Sequence, residues 1–129
     1  MIVVAAALVD AQGRVLLQQR PKGKAMAGLW EFPGGKVERD ELPEAALARE
    51  LEEELGISVE TEALTPAAFA SAPVGDRHMI LLLYLSRQWK GDPRPLHATA
   101  LKWLAPTEMA ADEMPPADRP LIAALDALL

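Results

Sequence analysis

The chain has 129 residues, half of them hydrophobic, with a formal charge of −6 and no cysteine. That length suits one domain, residues 1–129, built around one packed core. The composition excludes disulfides, thiolate metal sites and the broad basic face with which proteins grip polynucleotides, so no direct nucleic-acid binding is expected.

Residues 2–9 form a continuous apolar run rich in Val and Ala, consistent with a buried strand. No basic leader precedes it, and Asp10 and Gly13 break it, so it reads as a strand rather than a signal peptide. No apolar run reaches the roughly 20 residues needed to span a bilayer. With the missing cysteines, this makes a reducing, cytoplasmic setting the expectation, with no membrane partner. Residues 10–13 are a turn, and 14–20 return as a second strand, which predicts a hairpin. Residues 21–26 are a polar loop, 27–32 contain short strand pieces, and Pro33-Gly34-Gly35 reads as a glycine turn. Residues 43–55 are predicted as a helix, with Pro43 in the first turn and Gly56 closing the end. Residues 57–72 contain one or two strand segments, 73–76 a turn, and 77–89 a long strand. A proline-containing loop over 90–95, a short strand over 100–105 and an acidic loop ending at 114–116 follow. Residues 120–129 have helical spacing, with Leu121, Ala124, Leu125 and Leu128 on one face. Strands on both sides of one central helix, then a final helix, indicate an α/β sandwich around a mixed sheet.

The end of the central helix carries the chemistry. At about 100° per residue, Glu50, Glu53 and Glu54 share one arc, and Leu47, Leu51 and Leu55 share the neighbouring, buried one. Like charges at i,i+4 repel by roughly 0.2–0.5 kcal/mol per pair, more when half-buried. A divalent cation turns that repulsion into ligation, and oxygen donors suit Mg²⁺, with Mn²⁺ as a substitute. The alternative is a solvated acidic face. Arg49 precedes the cluster, and its planar fork can hold a carboxylate in one orientation.

Residues 35–57 match the pattern G-x5-E-x7-R-E-U-x-E-E-x-G-U at Gly35, Glu41, Arg49, Glu50, Leu51, Glu53, Glu54, Gly56 and Ile57. This is the Nudix box, and the chain resembles the Nudix hydrolases. The resemblance implies an αβα sandwich with a central mixed β-sheet, and hydrolysis of a nucleoside diphosphate linked to another group. It further implies that Glu50, Glu53, Glu54 and the Gly34 carbonyl hold the metal. In the same reading Glu50 is the base, Arg49 orients it, and Glu41 supports the cluster. The segments GLWEFPGGKVE and MPPADRPLI, with Arg20, Asp76-Arg77-His78 and the W-x-G-x-P of Trp89 to Pro93, are similar to the MutT-type enzymes that sanitise the nucleotide pool for replication.

That narrower resemblance implies cleavage of 8-oxo-dGTP to 8-oxo-dGMP and pyrophosphate by a monomer or dimer. Arg20, Glu31, Phe32, Pro33 and Gly34 would contact the nucleotide, Met79 would line the base pocket with Phe32, and Arg77 would cover the base. Each has a plainer alternative: core packing for Phe32 and Met79, solvated surface charge for Arg20 and Arg77. Two positions depart from the MutT pattern. His97 stands where a metal-serving glutamate is usual, and is either a neutral ligand or a solvated loop residue. Asp118 stands where a base-reading asparagine is usual; ionised, it only accepts hydrogen bonds. It would accept from N1–H and the amino group of an oxidised guanine, or from the amino group of cytosine, or cap the last helix. A CTP or dCTP pyrophosphohydrolase is therefore the alternative substrate class, and a non-catalytic nucleotide-binding module the alternative of another kind.

Overall fold

The computed structural model describes residues 1–129. Its organising strand is β1 (Ile2–Leu8), whose alternation divides the interior in two. Val4, Ala6 and Leu8 face one way and pack with Leu47, Leu51 and Leu55 of helix α1 (Pro43–Leu55). Ala5 and Ala7 face the other way, into the core that also holds Leu121 and Leu125. Those two leucines belong to the C-terminal helix α2 (Arg119–Leu128). The chain is thus an αβα sandwich, each helix buried along one apolar stripe.

The remaining strands are β2 (Val15–Gln19), β3 (Trp30–Glu31), β4 (Gly34–Lys36), β5 (Thr65–Val74), β6 (Arg77–Ser86) and β7 (Leu101–Leu104). They form a four-stranded mixed sheet in the order β4-β1-β6-β5 and a three-stranded antiparallel sheet in the order β3-β2-β7. In the first, β1 runs parallel to β6 and antiparallel to β4. Short 3₁₀ turns cover Thr61–Ala63, Pro106–Glu108 and Ala111–Glu113.

Helix α1 spans the residues that its punctuation predicts. Pro43 lies in its first turn, and Gly56 adopts φ 71° and donates its N–H to the Glu52 carbonyl at 3.0 Å. The expected hairpin between the first two strands is corrected. Its turn forms, with the Asp10 carboxylate accepting from the Gln12 and Arg14 N–H groups, and Val9 bridges Val15. Beyond that bridge the strands part into different sheets, because both edges of β1 are already taken by β4 and β6. The glycine turn is also corrected: Gly34 and Gly35 are strand, paired with Ala5 and Val4. Glycine is required because a Cβ at position 34 would overlap the Val4 backbone carbonyl.

The segment after α1 gives one 3₁₀ turn and one strand, β5, which runs to Val74 and shortens the expected turn to Gly75 and Asp76. Pro66 lies at an irregularity in an edge strand, where a missing N–H is tolerated. Trp89 and Trp103 stack at 6.1 Å beside the α1 core, in keeping with a packing role. No helix is long and apolar enough to cross a membrane.

Candidate active site

With Leu47, Leu51 and Leu55 fully buried, the glutamates of α1 emerge along the helix flank that faces β4. Arg49 is the centre of an ion-pair network there. Its Nε and Nη2 donate to the two oxygens of Glu41 at 2.8 and 3.0 Å, and its Nη1 donates to Glu50 Oε1 at 2.9 Å. Glu53 lies further off, at 3.6 Å from the same nitrogen. The Arg49 fork holds the Glu41 carboxyl far below the usual range, at about 2, and Glu41 in turn pushes the guanidinium pKa upward. Gly35 makes room for this arrangement, since a Cβ there would strike the Glu50 carboxylate.

Glu54 occupies a different environment. Its Oε1 accepts the Gly34 N–H at 2.9 Å and its Oε2 accepts Gln18 Nε2 at 3.2 Å. Burial raises its pKa to about 7, against those two donors, and the charges of Glu50 and Glu31 raise it further. The three helix glutamates are not gathered as a ready ligand set: no group of three or more His, Asp or Glu side chains converges on one point. Glu50 is turned to Arg49, and the Glu53 side chain is 51% exposed. The donor chemistry nevertheless fits a hard divalent cation. The available ligands are oxygens, and a bound cation would compensate both the burial of the Glu54 carboxylate and its repulsion by Glu50 and Glu31.

Glu54 opens onto a cavity of about 610 Å³, in the size range of small-molecule sites. Of the residues singled out in the sequence, Arg20, Glu31, Phe32, Gly34, Arg77, Met79 and Asp118 all line it. Pro33 does not: it is buried, and its carbonyl accepts the Ala6 N–H at 2.9 Å, which ties it to β1. Phe32 belongs to the α2-side core and Met79 packs against it, and both also line the cavity. Arg20 is no free surface charge; it donates to Glu31 at 2.8 Å and to the Ala25 carbonyl at 2.6 Å. Arg77 is exposed at the start of β6.

Asp118 is buried in the lining of the cavity, and its Oδ2 accepts the Phe32 N–H at 3.1 Å. It makes no side-chain cap to α2, which eliminates the helix-cap alternative. Burial lifts its pKa to about 7 in spite of the Phe32 N–H, and the Glu31 charge adds to the rise.

A second, polar cavity of about 230 Å³ shares Arg20, Glu31 and Glu54 with the first and adds Gln18, Lys24 and His97. His97 is an exposed loop residue, and it lines the same cavity as Glu54. Gln18 and Lys24 escaped the sequence reading. The signal for Gln18 was a polar side chain ending the apolar run Val15-Leu16-Leu17, on a strand otherwise buried.

Comparison with known proteins accounts for this arrangement. The NUDIX domain profile matches residues 1–125. A CTP pyrophosphohydrolase of Escherichia coli is 42% identical over 130 residues, covering 99% of this chain and 93% of that protein. An 8-oxo-dGTP diphosphatase of Escherichia coli is 35% identical, covering 92% of this chain and 91% of that protein. Among solved structures, the E. coli ORF135 protein superposes with a TM-score of 0.85 at 40% identity, over 98% of this chain and 89% of that one. A MutT NUDIX hydrolase from Burkholderia pseudomallei gives 0.78 at 34% identity, over 99% and 97%. A match of this extent, with the glutamate helix beside a nucleotide-sized cavity, means that the chain belongs to the Nudix hydrolases and is an enzyme that cleaves phosphoric anhydride bonds.

Proposed function

We propose that residues 1–129 act as a single-domain, Mg²⁺-dependent nucleoside triphosphate pyrophosphohydrolase, with 8-oxo-dGTP as the preferred substrate. Water adds to phosphorus, the anhydride bond breaks, and the products are 8-oxo-dGMP and pyrophosphate. The observation that carries this reading is the position of Glu54. It stands where a largely apolar cavity ending at Asp118 meets a polar one holding Arg20 and Lys24. The first compartment suits a base and the second suits phosphates.

Glu50, Glu53, Glu54 and the Gly34 carbonyl are the groups that would hold the cation. When bound, it supplies charge neutralisation on the phosphates and a lowered pKa for the attacking water. Glu50 takes the proton from that water, and Arg49 aims it through the 2.9 Å contact. Glu41 keeps Arg49 in place from its other side. Arg20, anchored by Glu31, contacts the nucleotide; Phe32 and Met79 flank the base, and Arg77 covers it from the exposed side.

Asp118 favours a purine with adjacent donors when ionised, accepting from N1–H and the 2-amino group. A second reading, CTP or dCTP, is favoured by the 42% identity to a CTP pyrophosphohydrolase and by the raised pKa of Asp118. A protonated carboxyl both donates and accepts, which matches N3 and the 4-amino group of cytosine. A cytoplasmic protein acting as a monomer or dimer on free nucleotides is the setting this function implies.

Glu53→Gln tests the metal assignment. The variant should stay folded and lose at least about 100-fold in Mg²⁺-dependent turnover, consistent with loss of a charged ligand. Wild-type rates in that variant would refute the role given to Glu53.

A further inference from the structure

The side chain of Gln18 is almost wholly buried, at 3% exposure, and only half of it has partners. Its amide nitrogen donates to Glu54 Oε2 at 3.2 Å. Glu31 is its cross-strand neighbour in the β2–β3 pairing. Gln18 Oε1 is buried and has no hydrogen-bond partner, alone among the buried side-chain oxygens and nitrogens of the protein. The orientation follows from charge: turned over, the amide would aim an oxygen at the Glu54 carboxylate.

A buried acceptor without a partner is unfavourable, and a side chain serving only to fill space at this position would be apolar, as Leu16 and Leu17 before it are. What the amide contributes lies at its donor end. It binds Glu54 on α1, and Glu54 faces one polar cavity together with Glu31 on β3, the cross-strand neighbour of Gln18. Glu31 is bound to Arg20 at 2.8 Å, and Glu54 also to the Gly34 N–H at 2.9 Å. The hydrogen bonds therefore run Gln18, Glu54, Gly34, with the Arg20–Glu31 pair beside them.

We propose that Gln18 is a positioning residue that holds Glu54 in place for the cation. The assignment rests on the pyrophosphohydrolase reading above. Without the amide, Glu54 keeps only the Gly34 N–H.

The test is Gln18→Met, which keeps the length and volume and removes both the donor and the unpaired acceptor. Three quantities are measured: Mn²⁺ affinity of the free protein by electron paramagnetic resonance, kcat and KM separately for a nucleoside triphosphate, and the melting temperature without metal. The expected result is a Mn²⁺ Kd raised about 10–100-fold, a lowered kcat, a raised KM and an unchanged or higher melting temperature. Gln18→Asn, whose shorter side chain withdraws the donor while staying polar, should weaken Mn²⁺ binding similarly. Mn²⁺ affinity and kcat within twofold of wild type in both variants would overturn the proposal. So would a Gln18→Met protein that melts well below wild type or fails to fold, because Gln18 would then be a structural residue. Wild-type protein in the same series separates the two levels. Without turnover or Mn²⁺ binding there, the enzymatic reading itself fails; with both intact and the variants unaffected, only the role of Gln18 fails.

Discussion

Asp118 keeps its proton to about pH 7 in the folded protein, because burial outweighs the one backbone donor it has; the ordinary value is 3.8. Between those values the unfolded chain has released a proton that the folded one retains. Raising the pH across that interval therefore favours unfolding. Asp118→Asn removes the buried charge and leaves an amide oxygen to accept from Phe32 N–H. The variant should be more stable than wild type by on the order of 4 kcal/mol at pH 8, with the difference vanishing below about pH 4. Urea unfolding at the two pH values measures this. The same variant should change the ratio of guanine to cytosine substrates; an unchanged ratio would remove Asp118 from base recognition. Glu54 shares the raised pKa, but its oxygens accept from Gly34 and Gln18, and the role proposed for it is toward the cation rather than the base.

Helix α1 holds its glutamates in register by burying Leu47, Leu51 and Leu55 against β1. Leu51→Ala should cost about 2–5 kcal/mol in chemical unfolding, as a large-to-small change in a closed core does. A loss below 1 kcal/mol would mean that the stripe does not anchor the helix. This element was legible in the sequence because its signals are local: Pro43, Gly56 and a leucine every fourth residue. The first two strands were less so. The turn at Asp10 is local and was legible, but the choice of partner for β1 is made by β4 and β6, far along the chain. The two glycines at 34 and 35 suggested a turn for the same reason. Their true cause, the close approach of the Val4 backbone and the Glu50 carboxylate, exists only once the sheet and helix are assembled. Gln18 likewise looks like one polar residue in an apolar strand until α1 brings the Glu54 carboxylate to it.

At the scale of the molecule, β1 separates two cores, and the cavities open along the side where the sheets and α1 meet. The helix motif identifies the reaction, whereas on the proposed reading the base would be chosen by the cavity residues that come from β3, β6 and the loop before α2. A chain of net charge −6 that binds a polyphosphate needs local positive charge, which Arg20, Lys24 and the cation would supply together. The most direct measurement is product analysis after incubation with Mg²⁺ and a panel of 8-oxo-dGTP, dGTP, CTP, dCTP and 5-methyl-dCTP. Nucleoside monophosphate and pyrophosphate are expected in equal amounts, only when Mg²⁺ is present, with the highest kcat/KM for 8-oxo-dGTP. A higher kcat/KM for CTP would move the specificity to the cytosine reading; no turnover of any nucleotide with Mg²⁺ or Mn²⁺, or release of orthophosphate instead of pyrophosphate, would refute the pyrophosphohydrolase assignment.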